Sequence, residues 1–301
     1  MEFLIAGYEI IEQEPGIEGM YKAAELPGRI CYGSQDKMAP GTAEKFCNGL
    51  MKSNHGAPLE HGTVYLRAEN EYYGNPLDKY RDNPYSKLKS INGTKYVTTN
   101  LRVLFEHNWL GDLEKYWCEP TEYHERRYQV RFQVDRFTEE FLRHRVASFN
   151  RESTRYVLFT KEKYGNGSIK YIVPVWLLDK MDDINYYSEK SMREFCQEVI
   201  DIEDGAECMS DVFIWEFALK AAEWSYCKLC NVYGWKAEQA RTVLPCAINS
   251  PLIKTAFVSD WKKFFNLRAK GVTGRPHPQA LELAQPLMEE FINRGYIPAD
   301  F

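Results

Sequence analysis

Two periodicities predict an α+β fold. Alternation of apolar and polar residues, the mark of a half-buried strand, occurs in the first half, most clearly at 128–134. In the second half apolar residues recur at i, i+3 and i+4, so that half reads as largely helical. No internal repeat, low-complexity tract or linker divides the 301 residues, so a single domain over 1–301 is expected, long enough to bury a substantial core.

Taken in order, residues 3–12 read as a strand and 16–31 as a helix ending near Gly33. A second helix follows at 42–51, with Thr42 as its cap. The loop 55–63 runs into a strand at 64–67; in it His61, beside Glu60 and Thr63, is a candidate ligand contact, against the commoner structural role of a lone histidine. From 69 to 96 the composition turns to Asn, Gly, Pro, Asp and Lys without apolar periodicity, which predicts a loop insertion or two short hairpins. Residues 100–118 are spaced as a helix capped by Asn100 or Thr99. The strand at 128–134 feeds a predicted helix, 135–147, with Phe137, Phe141, Leu142, Val146 and Ala147 on its apolar side and Thr138 as an early cap. Residues 148–155 are rich in side chains that bond their own backbone and read as a loop. A strand pair is expected at 157–159 and 172–176 around Gly165-Asn166-Gly167, then helices at 185–201, 206–233, 237–242, 259–268 and 279–293. The aromatic stripe Phe213, Trp215, Phe217, Trp224 and Tyr226 suits a core or a subunit interface better than base stacking.

With 44% hydrophobic and 27% charged residues the composition is that of a soluble globular protein. Residues 1–10 lack a basic leader, and no apolar run approaches the ~20 residues that span a bilayer, so a cytoplasmic protein without membrane contact is expected. The eight cysteines are scattered and read as free thiols. Cys227 and Cys230 form a CxxC with no second pair at zinc spacing, which points to packing and no metal.

One stretch departs from the acidic background. Between Arg126 and Arg155 stand eight arginines and four acids, a local +4 in a chain of net charge -5, and no lysine occurs between Lys115 and Lys161. Planar, permanently charged guanidinium groups suit two-point gripping of phosphates, carboxylates or ring edges. On a helix Arg143, His144 and Arg145 would fan roughly 100° apart and address different parts of a large ligand, two ligands or two subunits. The hydroxyls and backbone N–H groups after Ala147, with Arg155, make a phosphate cradle. A nucleic-acid-binding module is the rival reading, disfavoured by a sequence pI of about 5.8 and by the lysine-free run.

Arg143-His144-Arg145 followed after seven residues by Ser153-Thr154-Arg155-Tyr156 resembles the signature of flavin-dependent thymidylate synthases, the thymidylate synthase complementing protein family. Three further segments in the right order resemble it too: Glu60-His61-Gly62-Thr63, Ala240-Arg241-Thr242-Val243-Leu244-Pro245 and Phe264-Phe265-Asn266-Leu267-Arg268. The resemblance implies a mixed or antiparallel sheet flanked by helices and a homotetramer with shared active sites. It implies reductive methylation of dUMP to dTMP, with methylenetetrahydrofolate as carbon donor, FAD as hydride carrier and NADPH as reductant. Carried onto this chain, it gives FAD contacts to His61, Thr63, Arg143, His144, Arg145, Asn150 and Arg151. It gives dUMP contacts to Glu140, Arg143, Arg151, Glu152, Ser153, Thr154, Arg155, Arg241 and Arg268, with Arg268 also the catalytic group at the uracil ring. Glu140 stands where many members have glutamine, and Asn150-Arg151 where many have Asn-Glu. Phe257, Ser259 and Lys263 replace residues that often contact FAD, and 69–96 has no counterpart. A catalytically inactive nucleotide- and flavin-binding homologue is the second alternative.

Overall fold

The computed structural model describes all residues except 72, 73, 137, 145, 165, 166 and 202–208, and the side chains of 163 and 201. Its strands are β1 (Glu2–Ile5), β2 (Gly7–Ile11), β3 (Thr63–Glu69), β4 (Lys87–Ile91), β5 (Thr94–Asn100), β6 (Arg127–Gln133), β7 (Ser148–Arg151), β8 (Lys170–Val173) and β9 (Leu252–Phe257). Its helices are α1 (Gly16–Cys31), α2 (Thr42–Lys52), α3 (Leu101–Glu106), α4 (Asp112–Tyr116), α5 (Met181–Ser188), α6 (Met192–Asp201), α7 (Asp211–Asn231), α8 (Ala237–Ala240), α9 (Val258–Arg268) and α10 (Pro278–Asn293). The fold is α+β, with helices dominating after residue 175.

The chain packs into two compact units. The larger comprises Tyr8–Phe132, Glu140–Arg151 and Pro251–Phe301; the smaller comprises Met1–Gly7, Gln133–Glu139 and Glu152–Ser250.

In the larger unit, β3, β5 and β4 form an antiparallel sheet in that order. It packs with α1 to α4 over a core that includes Met20, Leu59, Leu66, Leu77, Tyr80 and Val97. Gly28 lets α1 meet α2, since a Cβ there would stand 2.6 Å from the ring of Phe46. The 69–96 stretch belongs to this core. Leu77 and Tyr80, in a 3-10 turn, are fully buried, and Asn92 (φ 47°) and Gly93 (φ 81°) turn a single hairpin between β4 and β5. The helix expected over 100–118 divides in two. Asn100 caps α3 as expected, accepting from the Val103 N–H at 3.1 Å, but Asn108 (φ 58°) breaks the run before α4. Thr42 does not cap α2; the cap position is Gly41, and the Thr42 hydroxyl turns to the Glu25 carboxylate.

The second sheet of this unit has the order β2-β6-β9-β7, with β9 antiparallel to both β6 and β7. β9 was not among the expected strands. Buried along its whole length, it shows no alternation to find. Its register fixes the two faces of the sheet. Gln129 pairs with Thr255 and Ser148 also pairs with Thr255, so Arg127, Gln129, Thr255, Ser148 and Asn150 share one face. Val130 and Phe149 pair with Lys254, and these three share the other, against Trp261, Phe264 and Phe265 of α9 and Phe291 of α10.

In the smaller unit β1 and β8 pair in parallel. The first predicted strand is therefore two, β1 and β2, in different sheets. Residues 157–159 form no strand; Val157 and Phe159 instead pack with Leu219 and Tyr226 of α7, and the predicted turn at 165–167 falls largely outside the described residues. Ser210 caps α7, accepting from the Phe213 N–H at 3.1 Å. Cys227 lies against the Gly167 carbonyl, and the described cysteines are free thiols. Among the described residues no helix is long and apolar enough to cross a membrane, and no cluster of metal-ligating groups occurs.

Candidate active site

The polar face of the four-stranded sheet carries His61, delivered by a 3-10 turn (Ala57–His61) just before β3. Both ring nitrogens are engaged, Nδ1 with Thr255 Oγ1 at 2.7 Å and Nε2 with Asn150 Oδ1 at 3.2 Å. Gln129 Nε2 donates to Thr255 Oγ1 and to the Ala23 carbonyl, each at 3.1 Å, which fixes its amide. Beside it the buried Arg127 guanidinium donates to Thr63 Oγ1 at 3.3 Å, to the Glu60 carbonyl at 3.0 Å and to Ser148 Oγ at 3.0 Å. Burial, then the Arg127 charge, push the His61 imidazole down to about 3, so the ring is neutral. Burial likewise lowers Arg127 to about 10. A cavity of about 300 Å³ opens over this network, lined by His61, Thr63, Arg127, Gln129 and the aromatic rings of Trp117 and Tyr296, among others.

The arginine motif does not form the predicted helix. Thr138–Arg143 is a 3-10 turn begun by Asp135, whose Oδ1 accepts from the Thr138 N–H at 3.0 Å and its hydroxyl at 2.8 Å; Thr138 is the capped residue and not the cap. Phe141 is buried against Phe132 and Phe264, but Val146 is 39% exposed, so the apolar face is not continuous. From Ser148 the chain is drawn into β7 by pairing with β9, and only after Arg151 does the expected loop begin. The fan of three helical side chains therefore does not apply: Arg143 ends the 3-10 turn, His144 follows it, and Arg145 lies outside the described residues.

His144 packs edge-on to Phe264 at 5.1 Å, and its Nε2 has no hydrogen-bond partner among the described residues. Burial first, then Lys254 and Arg268, push it down to about 3. Arg268, at the end of α9, donates from Nη2 to the Glu140 carbonyl at 3.1 Å, and its Nε has no partner among the described residues. Glu140 thus meets Arg268 through its backbone.

The larger unit accordingly holds His61, Thr63, Glu140, Arg143, His144, Asn150, Arg151 and Arg268. Within it His61 joins Asn150, Thr63 joins Arg127, and Glu140 joins Arg268. The smaller unit holds Glu152, Ser153, Thr154, Arg155 and Arg241. There Arg241 reaches Thr154 Oγ1 at 3.5 Å across 87 residues of sequence, while Ser153 Oγ accepts from the Arg155 N–H at 3.3 Å. The exposed Arg155 guanidinium lies over the Tyr156 ring at 5.2 Å.

Sequence reasoning missed Arg127, Gln129, Thr255 and Lys254. For the first two a signal existed, because polar residues at i and i+2 of an alternating strand share a face. The other two lie on the strand that was not foreseen.

Residues 121–294 match the sequence profile described as thymidylate synthase complementing protein. No curated protein matches. Among solved structures, the chain is similar to a UMP/dUMP methylase, PolB, from Streptomyces cacaoi bound with 5-Br dUMP, at 16% identity, 97% and 93% coverage of the two chains and a TM-score of 0.42. It is also similar to Thymidylate Synthase X (ThyX) from Helicobacter pylori with FAD and dUMP, at 15% identity, 95% and 92% coverage and a TM-score of 0.37. With its profile match covering more than half of its length, the chain belongs to the thymidylate synthase complementing protein family.

Proposed function

We propose that this chain is a flavin-dependent thymidylate synthase. It methylates dUMP to dTMP with methylenetetrahydrofolate as carbon donor, FAD as hydride carrier and NADPH as reductant, in a homotetramer with shared active sites. The observation that carries this reading is the family match over 121–294, which takes in the arginine motif, Arg241 and Arg268 together.

The residues suit the chemistry. Methylation at C5 of uracil needs electron density on that carbon, which grows as N3 gives up its proton. A guanidinium against the N3 and carbonyl edge stabilises the ring anion; Arg268, held by the Glu140 carbonyl and with Nε to spare, takes that role. Ser153, Thr154, Arg155 and Arg241 bind the phosphate and ribose, with Glu140, Arg143, Arg151 and Glu152 as further dUMP contacts. Ser153 is a binding group, since no histidine–acid pair faces it among the described residues.

The donor set also fits a flavin. Arg143, His144, Arg145, Asn150 and Arg151 hold it, and the unpartnered Nε2 of a neutral His144 is free for a ring heteroatom. His61 and Thr63 contribute a wall, since both His61 nitrogens are taken. FAD, when bound, supplies the hydride.

The test is the visible spectrum of the purified protein with and without dUMP, together with release of the C5 hydrogen from labelled dUMP. A yellow protein whose flavin band moves with dUMP and which releases the label is expected. A yellow protein that releases none is an inactive homologue, and a colourless one that FAD does not restore sinks the flavin assignment.

A further inference from the structure

Lys254 lies in the middle of β9 and is fully buried, yet its Nζ has no hydrogen-bond partner among the described residues. It stands 3.7 Å from the ring centre of Phe264, 4.2 Å from that of Trp261 and 5.8 Å from that of Phe149. The charged and titratable groups around it are few. β7 and β6 present Phe149 and Val130 beside it, neither titratable. α9 contributes Asp260 and Arg268, and His144 rests on the same Phe264 ring. Asp260, Phe264 and Arg268 are four residues apart in turn and so share a face of α9. Asp260 does not close an ion pair with Lys254: its Oδ1 takes Lys263 at 2.9 Å and its Oδ2 has no partner among the described residues. Lys254 Nζ, His144 Nε2 and Arg268 Nε thus lie around one aromatic layer, each without a partner there.

A buried amine without a partner opposes folding, which a methionine of similar length would not. An anion is what would relieve it. We propose that Lys254 is a positioning residue for the pyrimidine site: when the uracil ring binds as an anion against Arg268, the buried amine takes up a proton and completes the countercharge. This rests on the uridylate reading above. N3 loses one proton and Nζ gains one, so the pair passes from neutral–neutral to anion–cation with no change of net charge. In the free protein burial holds Lys254 well below its usual range, opposed by Asp260 and reinforced by Arg268, so the amine has room to accept that proton.

The test uses 5-fluoro-dUMP, whose ring loses N3–H more readily than uracil does and whose fluorine reports ring charge by NMR. Bound to the wild-type protein, the ring should ionise at a pH about one unit lower than when bound to K254M, a tenfold change in its ionisation constant. K254Q, uncharged but polar, should follow K254M and serves if K254M does not fold. Ring titration identical in wild type and either variant overturns the proposal and leaves the uridylate reading standing. Failure of the wild-type protein to bind 5-fluoro-dUMP removes both.

Discussion

The two faces of the four-stranded sheet treat buried polar groups differently. On one, the side chains meet in two groups, His61 with Thr255, Asn150 and Gln129, and Arg127 with Thr63 and Ser148, leaving Gln129 Oε1 and Arg127 Nε without a partner among the described residues. On the other, one residue along the same strand, Lys254 sits among aromatic rings with no hydrogen-bond partner among the described residues. Groups bonded to one another in this way are largely architecture: they orient the chain and leave Gln129 Oε1 and Arg127 Nε over for a ligand. Around the aromatic layer Lys254 has none of its bonding capacity spent, and His144 Nε2 and Arg268 Nε are unpartnered beside it, so a ligand would be felt strongly there.

The sharpest way to break this contrast is His61→Ala. Removing the imidazole strands Asn150 Oδ1, at about 1–3 kcal/mol, and leaves Thr255 Oγ1 with Gln129 alone, so a loss of roughly 2 kcal/mol or more is expected in urea unfolding. A loss below about 1 kcal/mol would mean the network is not architecture. The pH profile gives a second reading. Unfolded histidine takes a proton near its ordinary 6.5, whereas folded His61 and His144 do not until about 3. Their contribution is complete above 6.5 and drains as pH falls towards 3. His61→Ala should flatten part of that acid slope.

On the opposite face the sign should reverse. Lys254→Met removes an amine that has no partner and fills the same aromatic slot, so stabilisation of about 2 kcal/mol is expected. A destabilised Lys254→Met protein would show that the cation–ring contacts outweigh the desolvation of the amine.

Glu216, in the smaller unit, sharpens the contrast because it too is wholly buried, with neither oxygen partnered among the described residues. Burial lifts its carboxyl to about 8, against the partial opposition of Lys220. A folded value raised above the unfolded one means stability is complete below the unfolded value of about 4.5 and is lost as pH rises through about 8. Glu216→Gln should therefore match wild type at pH 4 and gain on it as pH rises towards 8, by roughly 1.4 kcal/mol per pH unit at most. Equal stability of the two proteins at pH 9 would show that the carboxyl reaches solvent before it ionises.

Much of this was legible beforehand, and the failures share a cause. The bounds of α1 and α10 could be read because each carries an apolar stripe along one helix with a break after it. The stretch 69–96, read by composition as a loop insertion or two short hairpins, holds one hairpin turned at Asn92-Gly93, a dipeptide suited to positive φ at both positions. The arginine helix failed because local spacing favoured one structure while pairing of Ser148–Arg151 with β9 imposed another, and β9 itself had no alternation to reveal it. His61, Arg268 and Arg241 were found by resemblance, but that His61 is spent on Thr255 and Asn150 follows only from contacts 194 and 89 residues apart. Lys254 had no signal at all, since a single lysine in a short segment ordinarily marks an exposed position.

The smallest expected effect tests whether the polar face acts as a unit. Ser148 Oγ accepts from Arg127 Nη2 at 3.0 Å and lies 3.3 Å from the Glu60 carbonyl, while Thr63 Oγ1 accepts from the other terminal nitrogen at 3.3 Å. Ser148→Ala alone leaves Arg127 with Thr63 and the Glu60 carbonyl, so it should cost only about 1 kcal/mol. Thr63→Val, close in shape, should cost about the same. Together they leave the buried guanidinium with the Glu60 carbonyl, and the double variant should lose about 1 kcal/mol more than the sum of the two. Strict additivity would mean that each hydroxyl acts alone, and the face would then be a set of separate hydrogen bonds whose satisfaction says nothing about its role.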